Sequence, residues 1–355
     1  MSHAWASTTS IADLATWLRG RRRVVVLTHL KPDGDAIGST IAVTRAINLA
    51  AAARGTVLEP PATPWYAGPM PDWAADVIGA TEHRVLTQAD RPDHDRREDP
   101  DAVLVLDTGA WTQLHEVREW LLPRREIAAV IDHHRQGDAD VADRRVIQTA
   151  AAAACEPCAE LCCALLGVPS PARLPVEVAT PLYLGLATDT GWFRHSNVSP
   201  SVLRLAASLL EAGVDHAALY ETVEQRDRPS RLRLMARALG SMKFLQRERI
   251  AVMTLTLQDF HDCNAAPTDS SGFAELALTA GPVQVSVLIT EAFVADRDPG
   301  GSVTKVSLRS KNGPASMDVN EVARKLGGGG HVRAAGAKVH ADLAETTRRV
   351  IEALA

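Results

Sequence analysis

A chain of 355 residues, 46% of them apolar, is long enough for a full core and for two domains. Its formal net charge of −5 excludes the global basic field that gathers long nucleic acid, while leaving room for a short or small anionic substrate held by a local patch. The opening residues MSHAWASTTS lack a basic segment followed by an apolar one, so they do not read as a signal peptide. No apolar stretch approaches the length of a membrane span, and a soluble cytoplasmic protein is expected.

In chain order, Arg23–Thr28 reads as a buried strand. It runs into T-H-L-K-P-D-G-D (28–35), which sets His29, Asp33 and Asp35 within seven residues. Ala36–Ala53 reads as a helix. The charged stretch 89–101 around His94 has no apolar framing and is expected at the surface. Ala102–Leu106 reads as a strand ending at Asp107-Thr108-Gly109, Thr112–Leu122 as a helix, and Ile127–Ile131 as a strand ending at Asp132-His133-His134. Cys155–Leu166 reads as a helix ending at Gly167. Its four cysteines (155, 158, 162 and 163) have no paired histidines or second Cys-x-x-C beside them, so they are expected to pack as small hydrophobes. Val176–Ala187 and Ser201–Ala212 read as helices. The apolar run P-L-Y-L-G-L-A-T ends at Asp189-Thr190-Gly191 and is counted with the three strands as a fourth run ending in an acid.

Strands alternating with helices predict parallel β/α units. Residues 215–245, helical and rich in arginine, read as a linker. Beyond 246 the strand-like runs Arg249–Leu257, Val283–Thr290 and Val303–Arg309 and the helix Val319–Leu326 predict a smaller α/β domain. That helix runs into Gly327–Gly330 and His331. One glycine would end it, and four exceed that need; glycines let backbone N–H groups approach an anion closely. Arg309, at a strand end, suits a bidentate grip on phosphate.

Each acidic group has an ordinary explanation, because an aspartate after a strand commonly caps the next helix. Four of them at the ligand-binding end of one parallel sheet is a different matter. Convergent carboxylates repel one another unless cations neutralise them. Histidine with carboxylate suits manganese and similar divalent ions. Two ions bridged by one carboxylate and a hydroxide are a device for phosphoester hydrolysis. Gly34 is expected to let the turn direct Asp33 and Asp35 to different ions.

H-L-K-P-D-G-D-A-I-G-S, V-L-D-T-G, I-D-H-H and A-T-D-T-G-W-F-R-H-S-N resemble, in order, the four motifs of the DHH phosphoesterase superfamily. K-V-S-L-R-S and V-N-E-V-A-R-K-L-G-G-G-G-H-V-R-A-A-G-A resemble the associated DHHA1 domain of its RecJ and nanoRNase/pAp-phosphatase branch. The resemblance implies an α/β fold with a parallel-sheet DHH domain (1–214), a helical linker (215–245) and a DHHA1 substrate-binding domain (246–355), with the active site in the cleft between domains. It implies that His29, Asp33 and Asp107 hold one manganese, and that Asp35, Asp107, His133 and Asp189 hold a second, with Asp107 bridging. Magnesium or cobalt could substitute.

His134 would donate to the scissile phosphate and Asp132 would orient the histidines. Arg194, Ser196 and Asn197 would support the site or touch substrate. Arg309, Ser310, Gly328, Gly329, Gly330, His331 and Arg333 would grip the nucleotide. Ser271 stands where family members carry an acid before glycine, which leaves the role of that loop open. The implied reaction is hydrolysis of short oligoribonucleotides, pApA, 3′-phosphoadenosine 5′-phosphate (pAp) and c-di-AMP by a bridging hydroxide. A homodimer is implied, with no long duplex and no membrane as partner. The rivals are a manganese inorganic pyrophosphatase and a nucleotide-binding regulatory module with an inactive centre.

Overall fold

The computed structural model describes residues 4–55, 61–87, 99–292, 302–313 and 316–354. The chain divides into two compact units, Met1–Gln225 and Arg226–Ala355. The division falls inside the segment read as a linker, which holds one helix on each side of it. Most of the charged stretch 89–101 lies outside the described residues.

The described elements of the first unit are α1 (Ile11–Leu18), β1 (Val24–Leu27), α2 (Gly34–Ala53), β2 (Ala62–Ala67), α3 (Ala74–Ile78), β3 (Arg84–Leu86), β4 (Ala102–Leu106), α4 (Arg118–Leu121), β5 (Ala128–Asp132), β6 (Arg144–Ile147), α5 (Cys155–Leu166), α6 (Val176–Asp189), α7 (Pro200–Glu211) and α8 (His216–Glu224). The strands form a parallel sheet in the order β3-β2-β1-β4-β5-β6. Every residue of β1, β4 and β5 is buried, as expected of strands covered on both faces. One face packs on α2, α5 and α6. On the other, Trp65 of β2 and its neighbours pack on Trp111, Leu114 and Trp120.

Three expectations need correction. The helix read over Val176–Ala187 continues to Asp189, so this acid, grouped with the strand ends, leaves a helix end instead. Thr112–Leu122 is α-helical only over Arg118–Leu121, with 3-10 turns at His115–Val117 and Leu122–Ile127. Buried Trp111, Leu114, Val117 and Trp120 recur every third residue, a spacing that suits three residues per turn. Finally, α2 has 20 residues, and its most apolar window has a mean hydropathy of 1.3, enough to cross a membrane by length and composition. It is nonetheless a core helix, 72% buried over its most apolar window.

Helices α2 and α6 run antiparallel in close contact. A Cβ on Gly38 would lie 2.3 Å from Pro181 O, and one on Gly185 2.7 Å from Asp35 Oδ1. Pro181 stands inside α6 and cannot donate to the carbonyl four residues back, that of Glu177. Arg45 of α2 supplies the missing donor through Nη1, at 2.7 Å. Its other nitrogens reach Thr81 Oγ1 and the carbonyls of Val77 and Ile78, at the end of α3. The cysteines of α5 face this packed layer: Cys155, Cys158 and Cys162 are fully buried.

The second unit holds α9 (Pro229–Gly240), β7 (Lys243–Leu245), β8 (Ile250–Leu255), α10 (Leu257–Cys263), α11 (Phe273–Leu276), β9 (Val285–Glu291), β10 (Thr304–Ser310), α12 (Val319–Lys325), β11 (Gly329–His331), β12 (Ala334–Val339) and α13 (Leu343–Leu354). Its sheet, in the order β11-β12-β10-β9-β8-β7, is antiparallel apart from the β8–β9 pair. Buried residues alternate along β10, which gives the sheet one face against α12 and α13.

Candidate metal centre

The first sheet reverses its winding between β1 and β4, and ligands bind α/β sheets at the strand ends of such a switch point. His29 follows β1. Asp33 is the N-cap of α2, and its Oδ1 accepts from the N–H groups of Asp35 and Ala36, both at 3.1 Å. Asp35 sits in the first helical turn, fully buried, and accepts from the N–H groups of Ala154 (2.5 Å) and Cys155 (3.0 Å) where α5 begins. A helix start therefore separates the two acids. Gly34 has no left-handed backbone; its glycine is required because a Cβ would lie 2.2 Å from Thr188 Oγ1 of α6. The expected reason for Gly34 is thus replaced by a steric one.

Asp107 follows β4 in a left-handed conformation (φ 62°), which costs a non-glycine residue on the order of 1 kcal/mol and marks sites the surrounding structure enforces. Asp132 ends β5, and His133 and His134 follow it.

These segments form three groups, in each of which one candidate ligand atom per residue lies within 4.8 Å of the others: His29, Asp33 and Asp107; Asp35, His133 and Asp189; and Asp107, Asp132, His133 and His134. His29 Nε2 is 3.6 Å from Asp33 Oδ1 and 3.4 Å from Asp107 Oδ2. His133 Nε2 is 3.3 Å from Asp107 Oδ1, 3.6 Å from Asp189 Oδ2 and 3.9 Å from Asp35 Oδ2. The two oxygens of Asp107 thus face opposite halves of the cluster. Asp132 Oδ1 accepts from the N–H groups of His133 (2.7 Å) and His134 (3.1 Å) and pairs with His134 Nδ1 at 2.7 Å. It holds the His134 ring directly. The His133 ring instead meets the carbonyl of Ala151.

Electrostatics strain the cluster. Burial, then Asp107 and Asp189, push Asp35 well above the usual carboxylate range. Burial and Asp107 push Asp189 up to about 6. Burial opposes the charge on His29 and His133, yet Asp107 and the neighbouring acids lift them to about 11 and about 9. Asp107 itself, despite burial, is held low by His133 and His29.

Such a set fits divalent cations. Each imidazole places Nδ1 on a backbone carbonyl, Leu30 O at 3.0 Å and Ala151 O at 3.3 Å. That contact fixes the tautomer with its Nε2 lone pair toward the carboxylates, the arrangement that supports metal-ligating histidines. Asp107 Oδ1 is buried and accepts no hydrogen bond from the described residues.

Several of the other expected site residues have partners of their own. Arg194 Nε donates to Gly191 O, three residues back in its own turn. Asn197 donates to Asp189 O at 3.1 Å and ties down the backbone of that acid. In the second unit, Arg309, Ser310 and Arg333 line an open hollow of about 580 Å³ with Glu275, Thr279 and Asn312. Arg309 pairs with Glu275 at 3.2 Å, Arg333 donates to Lys311 O and Ser316 Oγ, and Ser310 Oγ is buried without a partner among the described residues.

The glycine run has packing reasons of its own. A Cβ on Gly328 would lie 2.1 Å from Gly336 O, and one on Gly330 2.6 Å from Ala334 O, because β11 lies against β12. His331 is exposed on that strand. Near Ser271, Asp269 is the buried acid and pairs with Arg228 at 2.7 Å.

Sequence reasoning missed Thr188 and Trp5. Trp5 donates Nε1–H to His134 O at 3.0 Å. A lone tryptophan outside any apolar periodicity gave no signal for this role.

A doubly wound α/β unit with an aspartate–histidine cluster at its switch point defines a metal-site protein. Residues 23–186 match the DHH family, N-terminal domain, and residues 252–355 the DHHA1 domain. The bifunctional oligoribonuclease and PAP phosphatase NrnA of Thermus thermophilus is 31% identical, aligned over 99% of this chain and 94% of its own length. The protein of the same name from Mycoplasma pneumoniae is 25% identical, over 92% and 91%. Among solved structures, an exopolyphosphatase-related protein from Bacteroides fragilis shares the fold with a TM-score of 0.77 at 23% identity, covering 97% of this chain and 95% of that one. The chain belongs to the DHH phosphoesterase family, in its NrnA-type branch with a DHHA1 domain, and is a hydrolase acting on phosphoester bonds. Phosphoesterases of this family are metal-dependent, and the cluster is the set of side chains that could hold the metal.

Proposed function

We propose that the protein is a manganese-dependent phosphodiesterase and phosphatase that cuts short oligoribonucleotides, pApA among them, to mononucleotides and converts pAp to AMP, with c-di-AMP as a further substrate. The observation that carries this reading is the placement of Asp107, with one oxygen toward His29 and Asp33 and the other toward His133. The names of the relatives support the substrate class.

In this reading His29, Asp33 and Asp107 hold one cation, and Asp35, Asp107, His133 and Asp189 the other. Bound there, the pair would supply an activated water for in-line attack and positive charge for the phosphoryl oxygens. Asp132 accepts from His134 Nδ1–H and favours the protonated ring, whose Nε2–H is then the donor to the scissile phosphate. In the second unit, Arg309, Arg333 and Ser310 take a phosphate of the substrate in their hollow, with Gly328, Gly329, Gly330 and His331 beside it.

A product assay with manganese on pAp, pApA, c-di-AMP, a series of short RNAs and pyrophosphate tests this. Release of AMP from pAp and pApA is expected. Fast pyrophosphate hydrolysis with no AMP from pApA would replace the reading with a pyrophosphatase. Nucleotide binding without turnover would replace it with a regulatory module.

A further inference from the structure

Residues 5–9 run beside the exposed edge of the first sheet and end at the loops that carry its metal-centre residues. Ser7 and Thr8 side chains occupy the open edge of β6. Ser7 Oγ accepts from Ile147 N at 2.8 Å and donates to Ile147 O at 3.1 Å. Thr8 Oγ1 accepts from Arg145 N at 2.9 Å and donates to Asp143 O at 2.7 Å. Thr8 N donates to Arg145 O at 2.8 Å. The segment is thereby anchored along the edge, and Trp5 falls where two loops cross. One carries Asp107 and continues to Gly109. The other carries His133 and His134 and continues to Gly137. Asp138 N donates to Gly109 O at 2.7 Å, joining the loops beneath the indole.

The indole touches both glycines closely. A Cβ on Gly109 would lie 1.8 Å from Trp5 Cη2, and one on Gly137 2.5 Å from Cε2 and Cζ2. Neither glycine has a left-handed backbone, so their conformation leaves side chains possible; the ring against them does not. Trp5 Nε1–H completes the seat on His134 O. Residue His134 is therefore held from two sides, its ring by Asp132 and its carbonyl by Trp5.

We propose that Trp5 is a positioning residue for the hydrolytic centre, clamping the Asp107 loop to the His133–His134 loop so that the bridging carboxylate and the phosphate donor keep their spacing. The proposal rests on the cluster being the hydrolytic centre. Misplacing reacting groups by about 1 Å costs on the order of a hundredfold in rate. Trp5→Ala is thus expected to lower kcat for manganese-supported pApA hydrolysis by about ten- to a hundredfold, with KM within about twofold of wild type. Trp5→Phe keeps the plane against the glycines and loses the N–H, so it should recover part of the loss. Amide exchange should quicken in residues 107–110 and 132–138 of Trp5→Ala and stay unchanged elsewhere.

Gly137→Ala should also impair kcat, and should add nothing in the Trp5→Ala background, because the ring it would strike is gone. Wild-type kcat in Trp5→Ala overturns the proposal. So does an equal loss from Gly137→Ala in both backgrounds, or quickened exchange without a change in kcat. A wild-type protein that releases no AMP from pApA would fail the proposed substrate instead. The same comparison would then be made with whichever substrate of the product assay turns over.

Discussion

Asp107→Asn removes the one negative charge that both halves of the metal centre share. Asp107 Oδ2 faces His29 at 3.4 Å and Oδ1 faces His133 at 3.3 Å, so the substitution is expected to weaken both cations together. His29→Ala should weaken only the cation beside Asp33, and Asp189→Asn only the one beside Asp35. The magnitude follows from linkage. A cation at a hundred times its dissociation constant stabilises the folded state by about 2.7 kcal/mol, so two give about 5 kcal/mol. In a unit spanning Met1–Gln225, each kcal/mol moves the unfolding midpoint by about 2–4 °C. Chelator-stripped wild type should therefore gain about 10–20 °C on manganese addition. His29→Ala and Asp189→Asn should gain about half as much, and Asp107→Asn almost nothing. Scanning calorimetry reads the midpoints, and isothermal titration of the stripped protein counts the sites. An Asp107→Asn protein that keeps one manganese site at wild-type affinity would refute the shared-carboxylate geometry.

Gly34→Ala should cost about 1–3 kcal/mol in denaturant unfolding, because its Cβ would lie 2.2 Å from Thr188 Oγ1; adding Thr188→Ala should restore most of it, and an undisturbed single variant would disprove the steric account. Asp132→Ala deletes the acceptor of three hydrogen bonds from His133 and His134 and should lower kcat by about 10- to 100-fold while both manganese sites still titrate. In metal-free protein, His29 and His133 are raised from 6.5 to about 11 and about 9. Their stabilisation is complete below pH 6.5 and is lost as pH rises through those values. The urea midpoint should fall between pH 6.5 and 9, and His133→Gln should flatten the fall. Manganese affinity should rise over the same interval, since each imidazole must shed a proton to bind.

The sequence made the centre more legible than its scaffold. Apolar β1, β4 and β5 each run into their chemistry, so His29, Asp107 and the Asp132–His134 triplet could be read from runs alone. Asp189 joins the cluster from the end of the helix read over Val176–Ala187, which runs two residues farther than expected; only its grouping with the strand ends fails. Strand β2 carries Pro64 and β6 begins with two arginines, so neither shows the pattern of an interior or edge strand. The reason for Gly34 lies in Thr188, some 150 positions away, and the reason for Gly137 lies in Trp5. Contacts of that kind leave no local periodicity. In the second unit, the glycine run invited an anion-binding reading, yet two of its members are required by the closeness of β11 and β12.

The repair of Pro181 by Arg45 has a consequence for the distance between ligands. Asp35 begins α2 and Asp189 ends α6, while Arg45 and Glu177 join the same two helices farther along. At 1.5 Å per residue the fastening lies about 15 Å from Asp35 along α2 and about 18 Å from Asp189 along α6. Two stiff rods pinned to each other at that remove act as a calliper. Their jaws are the two carboxylates, closed by the glycine contacts at Gly34, Gly38 and Gly185 and fastened at the far end by the arginine that answers a proline's missing hydrogen.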